Sequence, residues 1–173
     1  MGSEGTALLE PLWRGLPAVD PSAVSGAVSC SLPARYDAVK GARQFTGATL
    51  RQWDIPELLD EVAIVVSELV TNALRHAVSG ALPGGASGAP GPSDDGPEPP
   101  LVRLHLMYSA SRLVCAVRDP SEDGPVAGEA GSCAESGRGL HLVESFTDGW
   151  GWHPLAGTLP GKIVWALFRL PRT

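Results

Sequence analysis

The sequence predicts an α/β fold, a two-layer sandwich in which one mixed, largely antiparallel sheet carries its helices on a single face. Three observations predict it. Strand-like and helix-like segments follow one another in the order strand, helix, helix, strand, strand, helix, strand, strand, and elements in that order bury their apolar faces by stacking helices on one sheet. The second helical segment is apolar along one side (Val62, Val65, Val66, Leu69, Val70, Ala73) yet carries Glu68, Asn72 and His76 at i, i+4 and i+8, which lines three polar groups along one stripe. A glycine-rich turn, Ser136-Gly137-Arg138-Gly139, opens directly into a third apolar, helix-like run.

Residues 1–26 are rich in Gly, Pro and small side chains and read as a flexible leader, with the folded domain over 27–173. Ala27–Leu32 reads as the first strand, and Pro33 suits the first turn of a helix. Tyr36, Val39, Ala42, Phe45 and Leu50 recur at near-helical spacing and carry that helix to Arg51. The second helix is expected to start with Asp54 as N-cap, Pro56 in the first turn and Glu57 reaching back, and to end near Ser79-Gly80. Residues 80–100, dense in Pro, Gly and Ser, bury too little to order themselves and read as a flexible insertion. Leu101–Tyr108 and Arg112–Arg118 read as an antiparallel pair. A glycine-rich, acidic loop over 120–136 leads to the short helix Leu140–Phe146. Asp148–His153 and Lys162–Leu170 are the last two strands, with Trp150, Trp152 and Trp165 expected to pack the sheet.

At 173 residues the chain fits one domain with a proper core, and its formal net charge of -6 argues against a dedicated nucleic-acid binder. No apolar run approaches the roughly 20 residues that span a bilayer, and no charged-then-apolar signal pattern opens the chain. Cys30, Cys115 and Cys133 are scattered, without C-x-x-C spacing, as expected for thiols in the cytoplasm, and no Cys/His group has zinc-ligand spacing.

Glycine-rich turns before helices suit phosphate, because bare N–H groups and the positive helix end face the anion. Val114-Cys115-Ala116-Val117-Arg118-Asp119 is a strand-like run ending in an acid, followed by Pro120-Ser121. Each feature has a plainer reading. Glu68 and Asn72 also suit a solvated helix face, Asp-Pro-Ser is ordinary turn chemistry, and Gly-Arg-Gly is an ordinary helix entry. His76 and His141 read as structural histidines, and Lys162 as a solvated residue at a strand edge.

In this order the three features resemble the GHKL ATPases, which share the Bergerat, histidine-kinase-like ATP-binding fold, and among them most the small anti-sigma factor serine/threonine kinases. The resemblance covers roughly residues 27–170. Glu68-x-x-x-Asn72-Ala73 matches the N box, Asp119 the acid of the G1 box, and Gly137-Arg138-Gly139-Leu140 the G2 box. Asp148-Gly149-Trp150-Gly151-Trp152 and Gly161-Lys162-Ile163-Val164-Trp165 match the closing strands. Ser121 departs from the pattern, standing where the family usually has the glycine of Asp-x-Gly.

The resemblance implies ATP with Mg2+ as cofactors and gives each residue a role. Asn72 would ligate magnesium through its amide oxygen, which suits a hard cation. Glu68 would take the proton of the attacking hydroxyl, and Asp119 would accept a hydrogen bond from the adenine amino group beside Ser121. Gly137, Gly139 and Leu140 would bring backbone close to phosphate, with Arg138 as a guanidinium partner, and the loop 120–136 would form the ATP lid. The implied function is an ATP-binding regulatory protein. It would transfer the γ-phosphate to a Ser or Thr of a small STAS-type anti-anti-sigma partner and sequester a sigma factor in the cytoplasm. A homodimer is among the assemblies relatives form; no membrane or direct nucleic-acid contact is implied. The alternative is a catalytically idle, nucleotide-dependent protein-binding regulator. A sensor histidine kinase is disfavoured because 1–26 has no room for a phospho-acceptor hairpin, and a gyrase- or chaperone-type ATPase because no transducer domain follows.

Overall fold

The computed structural model describes residues 21–35, 37–80, 101–122, 124, 136–155 and 161–171. The leader up to residue 20, the insertion over 81–100 and the lid over 125–135 lie outside the described residues.

Alternating side chains build the sheet from β1 (Val24–Pro33), β2 (Leu101–Ser109), β3 (Arg112–Asp119), β4 (Gly149–Pro154) and β5 (Lys162–Arg169). The strands lie in the order β1-β2-β3-β5-β4, and every pairing among them is antiparallel, so the parallel component of a mixed sheet is absent among the described strands. Three helices, α1 (Ala38–Gln52), α2 (Leu59–Gly80) and α3 (Ser136–Phe146), form the second layer of the sandwich. The apolar side of α2, with Val62, Val65, Val66 and Val70 fully buried, packs on Leu104, Leu106, Leu113, Cys115 and Val117 of β2 and β3. Each such side chain contributes about 1.5–3 kcal/mol when removed from water, and α2 also contacts both other helices. It is therefore the rigid centre of the domain. The opposite parity on the strands forms small separate clusters, Ala116 and Ile163 in one and Met107 and Val114 in another, both packed by Trp165.

Several boundaries differ from those the sequence predicts. Pro33 does not start a helix; it ends β1 opposite Leu101, and α1 begins at Ala38. Proline has no N–H to give a ladder and is tolerated on an edge strand, which β1 is. Asp54 is not the N-cap of α2. It adopts φ 59° in the link between α1 and α2, a conformation Asp accepts more readily than most residues. A single 3-10 turn, Pro56–Leu58, then precedes Leu59. β1 starts at Val24, three residues before Ala27, because Gly26 lets the strand run under the Tyr108 ring, which stacks at 4.5 Å on Trp53. Trp150 packs against the main core as expected, whereas Trp152 is 41% exposed and lies against Gly124.

Candidate functional site

On α2, Glu68 and Asn72 are half-buried, whereas Leu69 and Ala73 beside them are sealed in the core. This fixes the helix rotation and turns the polar pair toward α3. The third helix is anchored by buried Leu140 and Val143 and approaches α2 at Gly139. A β-carbon at position 139 would sit 2.5 Å from Glu68 Oε2 and 3.9 Å from Asn72 Nδ2. The absence of a side chain there lets the start of α3 reach the Glu68–Asn72 stripe without displacing the Glu68 carboxylate. Gly137 and Arg138 share that first turn, where backbone N–H groups have no partner within the helix. Arg138 and His141 are exposed, and the side chain of His76 lies outside the described residues.

A second cluster closes the other end. Asp119, at the end of β3, is 1% exposed. Its Oδ1 accepts the Ser121 N–H at 2.8 Å, and its Oδ2 meets Lys162 Nζ at 2.9 Å. Lys162 Nζ also donates to the Ser121 carbonyl at 3.4 Å. Gly161, at φ 117°, makes this possible, since a β-carbon there would strike the Asp119 carbonyl oxygen. A cavity of about 10 Å³ joins the clusters, touching Asn72, Asp119 and Lys162 and walled by Leu69, Ala73, Val117 and Val164. That volume holds about one water.

Glu68, Asn72 and Gly139 thus meet at one end, and Asn72, Asp119, Ser121 and Lys162 at the other. Lys162 corrects the expectation of a solvated strand edge. Strand β5 lies between β3 and β4, and Lys162 is paired with Asp119 at 1% exposure. Burying an ammonium requires a counter-charge, and Asp119 supplies it. Parity along β5 carried the signal, because Lys162 shares its face with the core residues Val164, Ala166 and Phe168.

Among the described residues no group of three or more His, Cys, Asp or Glu side chains could cage a metal. The donor set suits magnesium in the way that cation is usually held, by one or two oxygen ligands with phosphate and water completing the shell. Burial pushes the thiol of Cys115 up, so it stays protonated. No helix among the described residues is long and apolar enough to cross a membrane.

A family model described as the histidine kinase-like ATPase domain matches residues 32–165, most of the chain. No curated protein matches the chain.

Proposed function

The chain belongs to the histidine kinase-like ATPase domain family, and from that premise we propose that it is an ATP-dependent regulatory kinase acting on Ser or Thr of a small partner protein. Membership supports an ATP-binding regulatory function. The finer reading adds transfer of the γ-phosphate to a STAS-type anti-anti-sigma protein and sequestration of a sigma factor in the cytoplasm. The observation that carries it is the approach of α3 to α2 at Gly139, which sets Glu68 and Asn72 at a helix N-terminus.

In this reading Asn72 presents its amide oxygen to the magnesium of the nucleotide. The first turn of α3, with Gly137, Arg138, Gly139 and Leu140, receives the phosphates, since free N–H groups and the positive helix end favour anions. Magnesium supplies charge neutralisation across the phosphates. Glu68 would accept the proton from the acceptor hydroxyl as that oxygen bonds to the γ-phosphorus and the bond from that phosphorus to the β–γ bridging oxygen breaks, releasing ADP. Asp119 and Lys162 act together on the base. Among the described residues each Asp119 oxygen has one hydrogen bond and a further lone pair, and Lys162 has one N–H beyond its contacts to Asp119 and Ser121. The pair therefore offers an acceptor beside a donor, complementary to the amino group and adjacent ring nitrogen of adenine.

The second reading is a catalytically idle regulator that binds the nucleotide without transferring phosphate; Ser121, standing where the family's Asp-x-Gly has glycine, favours it. Separating binding from transfer distinguishes the two. Asn72→Ala should weaken Mg-ATP binding in calorimetry. Glu68→Gln should bind Mg-ATP nearly normally, while transfer to a Ser/Thr acceptor protein drops about 10²–10⁴-fold. A parent protein that binds Mg-ATP but phosphorylates no acceptor supports the idle regulator.

A further inference from the structure

A groove of about 1180 Å³ runs between α1 and α2 and shares no lining residue with the cavity at Asp119. Its floor is apolar, formed by Val39 of α1 with Leu59, Ala63 and Leu74 of α2. Gly47 deepens it, since even a β-carbon there would come within 3.5 Å of Leu59 and 3.3 Å of Arg51. The rim is basic: Arg35, Lys40, Arg43 and Arg51 line it and are exposed. Asp60 is the one acid among the described lining residues.

This charge runs against the rest of the molecule. The chain carries 13 Lys and Arg against 19 Asp and Glu, yet five of those cations, Arg75 included, line one apolar trough. Such a local field attracts an anionic partner, while the chain's overall negative charge opposes a long polyanion such as nucleic acid. The floor excludes a simple phosphate ligand, which has no apolar surface to place on Val39, Leu59 and Leu74. An occupant must be apolar on one side and acidic on its flanks. The stretch of α1 from Val39 to Arg51 is about 18 Å long at 1.5 Å per residue, which matches three turns of a helix lying along it.

We propose that this groove docks an acidic amphipathic helix of a partner protein. Apolar residues of that helix at i, i+3, i+4 and i+7 rest on the floor, in the helix-in-groove mode. Its Glu and Asp residues face Arg35, Lys40, Arg43 and Arg51. The site is separate from the nucleotide cluster, and the proposal stands whether or not the chain transfers phosphate.

The test uses the full chain and a labelled synthetic peptide of about 18 residues, with leucines in one helical stripe and glutamates on its flanks. Two comparators are a scrambled peptide of equal composition and a version with Lys for Glu. Fluorescence anisotropy should show the patterned acidic peptide binding at least about tenfold more tightly than the scrambled one, and weakening as salt is raised. Lys40→Glu with Arg43→Glu, both at exposed positions, should weaken it by about tenfold or more and raise affinity for the Lys peptide. An unchanged circular dichroism spectrum and unchanged ATP affinity would show that the variant is folded. Equal binding of patterned and scrambled peptides, or no binding to the parent, overturns the proposal. So does a parent dimer in sedimentation that the double variant dissociates, since the groove would then be covered by a second copy.

Discussion

Lys162→Met is expected to destabilise the domain far more than a strand-end lysine normally would. The ammonium and the Asp119 carboxylate stand 2.9 Å apart with side chains only 1% and 2% exposed. Methionine keeps the length of the side chain but leaves Asp119 charged and without its counter-ion. Removing one member of a buried pair costs about 3–5 kcal/mol, compared with about 0–1 for an exposed pair. Against a total stability of about 5–15 kcal/mol this is a large fraction. At about 2–4 °C per kcal/mol for a chain of this size, Tm should fall by roughly 6–20 °C. The double variant Asp119→Asn with Lys162→Met should regain most of the loss, because replacing a buried pair by neutral groups of similar volume is often close to neutral. Chemical denaturation followed by circular dichroism measures all three proteins. A Lys162→Met protein within about 1 kcal/mol of the parent would mean that the pair is solvated, and the reasoning from burial would fail.

Three further outcomes follow from the same geometry. 1-Deaza-ATP, in which a C–H replaces the ring nitrogen next to the amino group, should bind about tenfold or more weakly than ATP if Lys162 donates to that nitrogen; equal affinities in calorimetry would remove Lys162 from base recognition while leaving nucleotide binding itself intact. Gly139→Ala should leave stability level or slightly raised, by up to about 1 kcal/mol from helix propensity, yet lower phosphoryl transfer, because the new methyl group falls on Glu68 Oε2; an unimpaired rate would show that the carboxylate position is immaterial. His105, 4% exposed on β2, is held at a pKa of about 4 by burial and then by Arg103 and Arg118. The unfolded chain therefore binds this proton first as pH falls below about 6.5, so the contribution is intact at neutral pH and about 3 kcal/mol is lost on approaching pH 4. His105→Leu should flatten that part of the Tm profile, and parallel profiles for the two proteins would disprove the assignment.

The sandwich was legible because period and punctuation agreed. The valines of α2 repeat at helical spacing, and β2 and β3 are separated by the short Ala110-Ser111 turn, so neither needed tertiary information to be recognised. Two of the boundaries that moved were set by long-range contacts, and a third by a neighbouring turn. Gly26 reads as the end of the leader until Tyr108 and Trp53 are placed over it. Pro33 reads as a helix opener until Leu101 is found opposite it. Asp54 resembles an N-cap, but the turn out of α1 fixes its backbone first: the N–H of Ile55 donates to the Leu50 carbonyl and that of Asp54 to Arg51. At Gly26 and Pro33 a distant partner selected the structure, and at Asp54 the end of the preceding helix did.

The site divides along the same line. Glu68 and Asn72 share a helix, so their adjacency follows from a spacing of four residues. Gly139 declares itself as a close-approach residue, although only the packed helices show that it approaches Glu68. The Asp119–Lys162 pair spans 43 positions and depends on the β3–β5 register. Parity within β5 could have placed Lys162 on the core face, but not opposite an acid. In the proposed reading that register matters for function because it changes the chemistry offered to the base. A lone carboxylate only accepts, whereas a carboxylate with an ammonium beside it accepts and donates. Gly161 fixes this arrangement through the backbone, since any side chain there would strike the Asp119 carbonyl. A Gly161→Ala protein should therefore disturb the pair while both charged residues remain, which separates the geometry of the site from its composition.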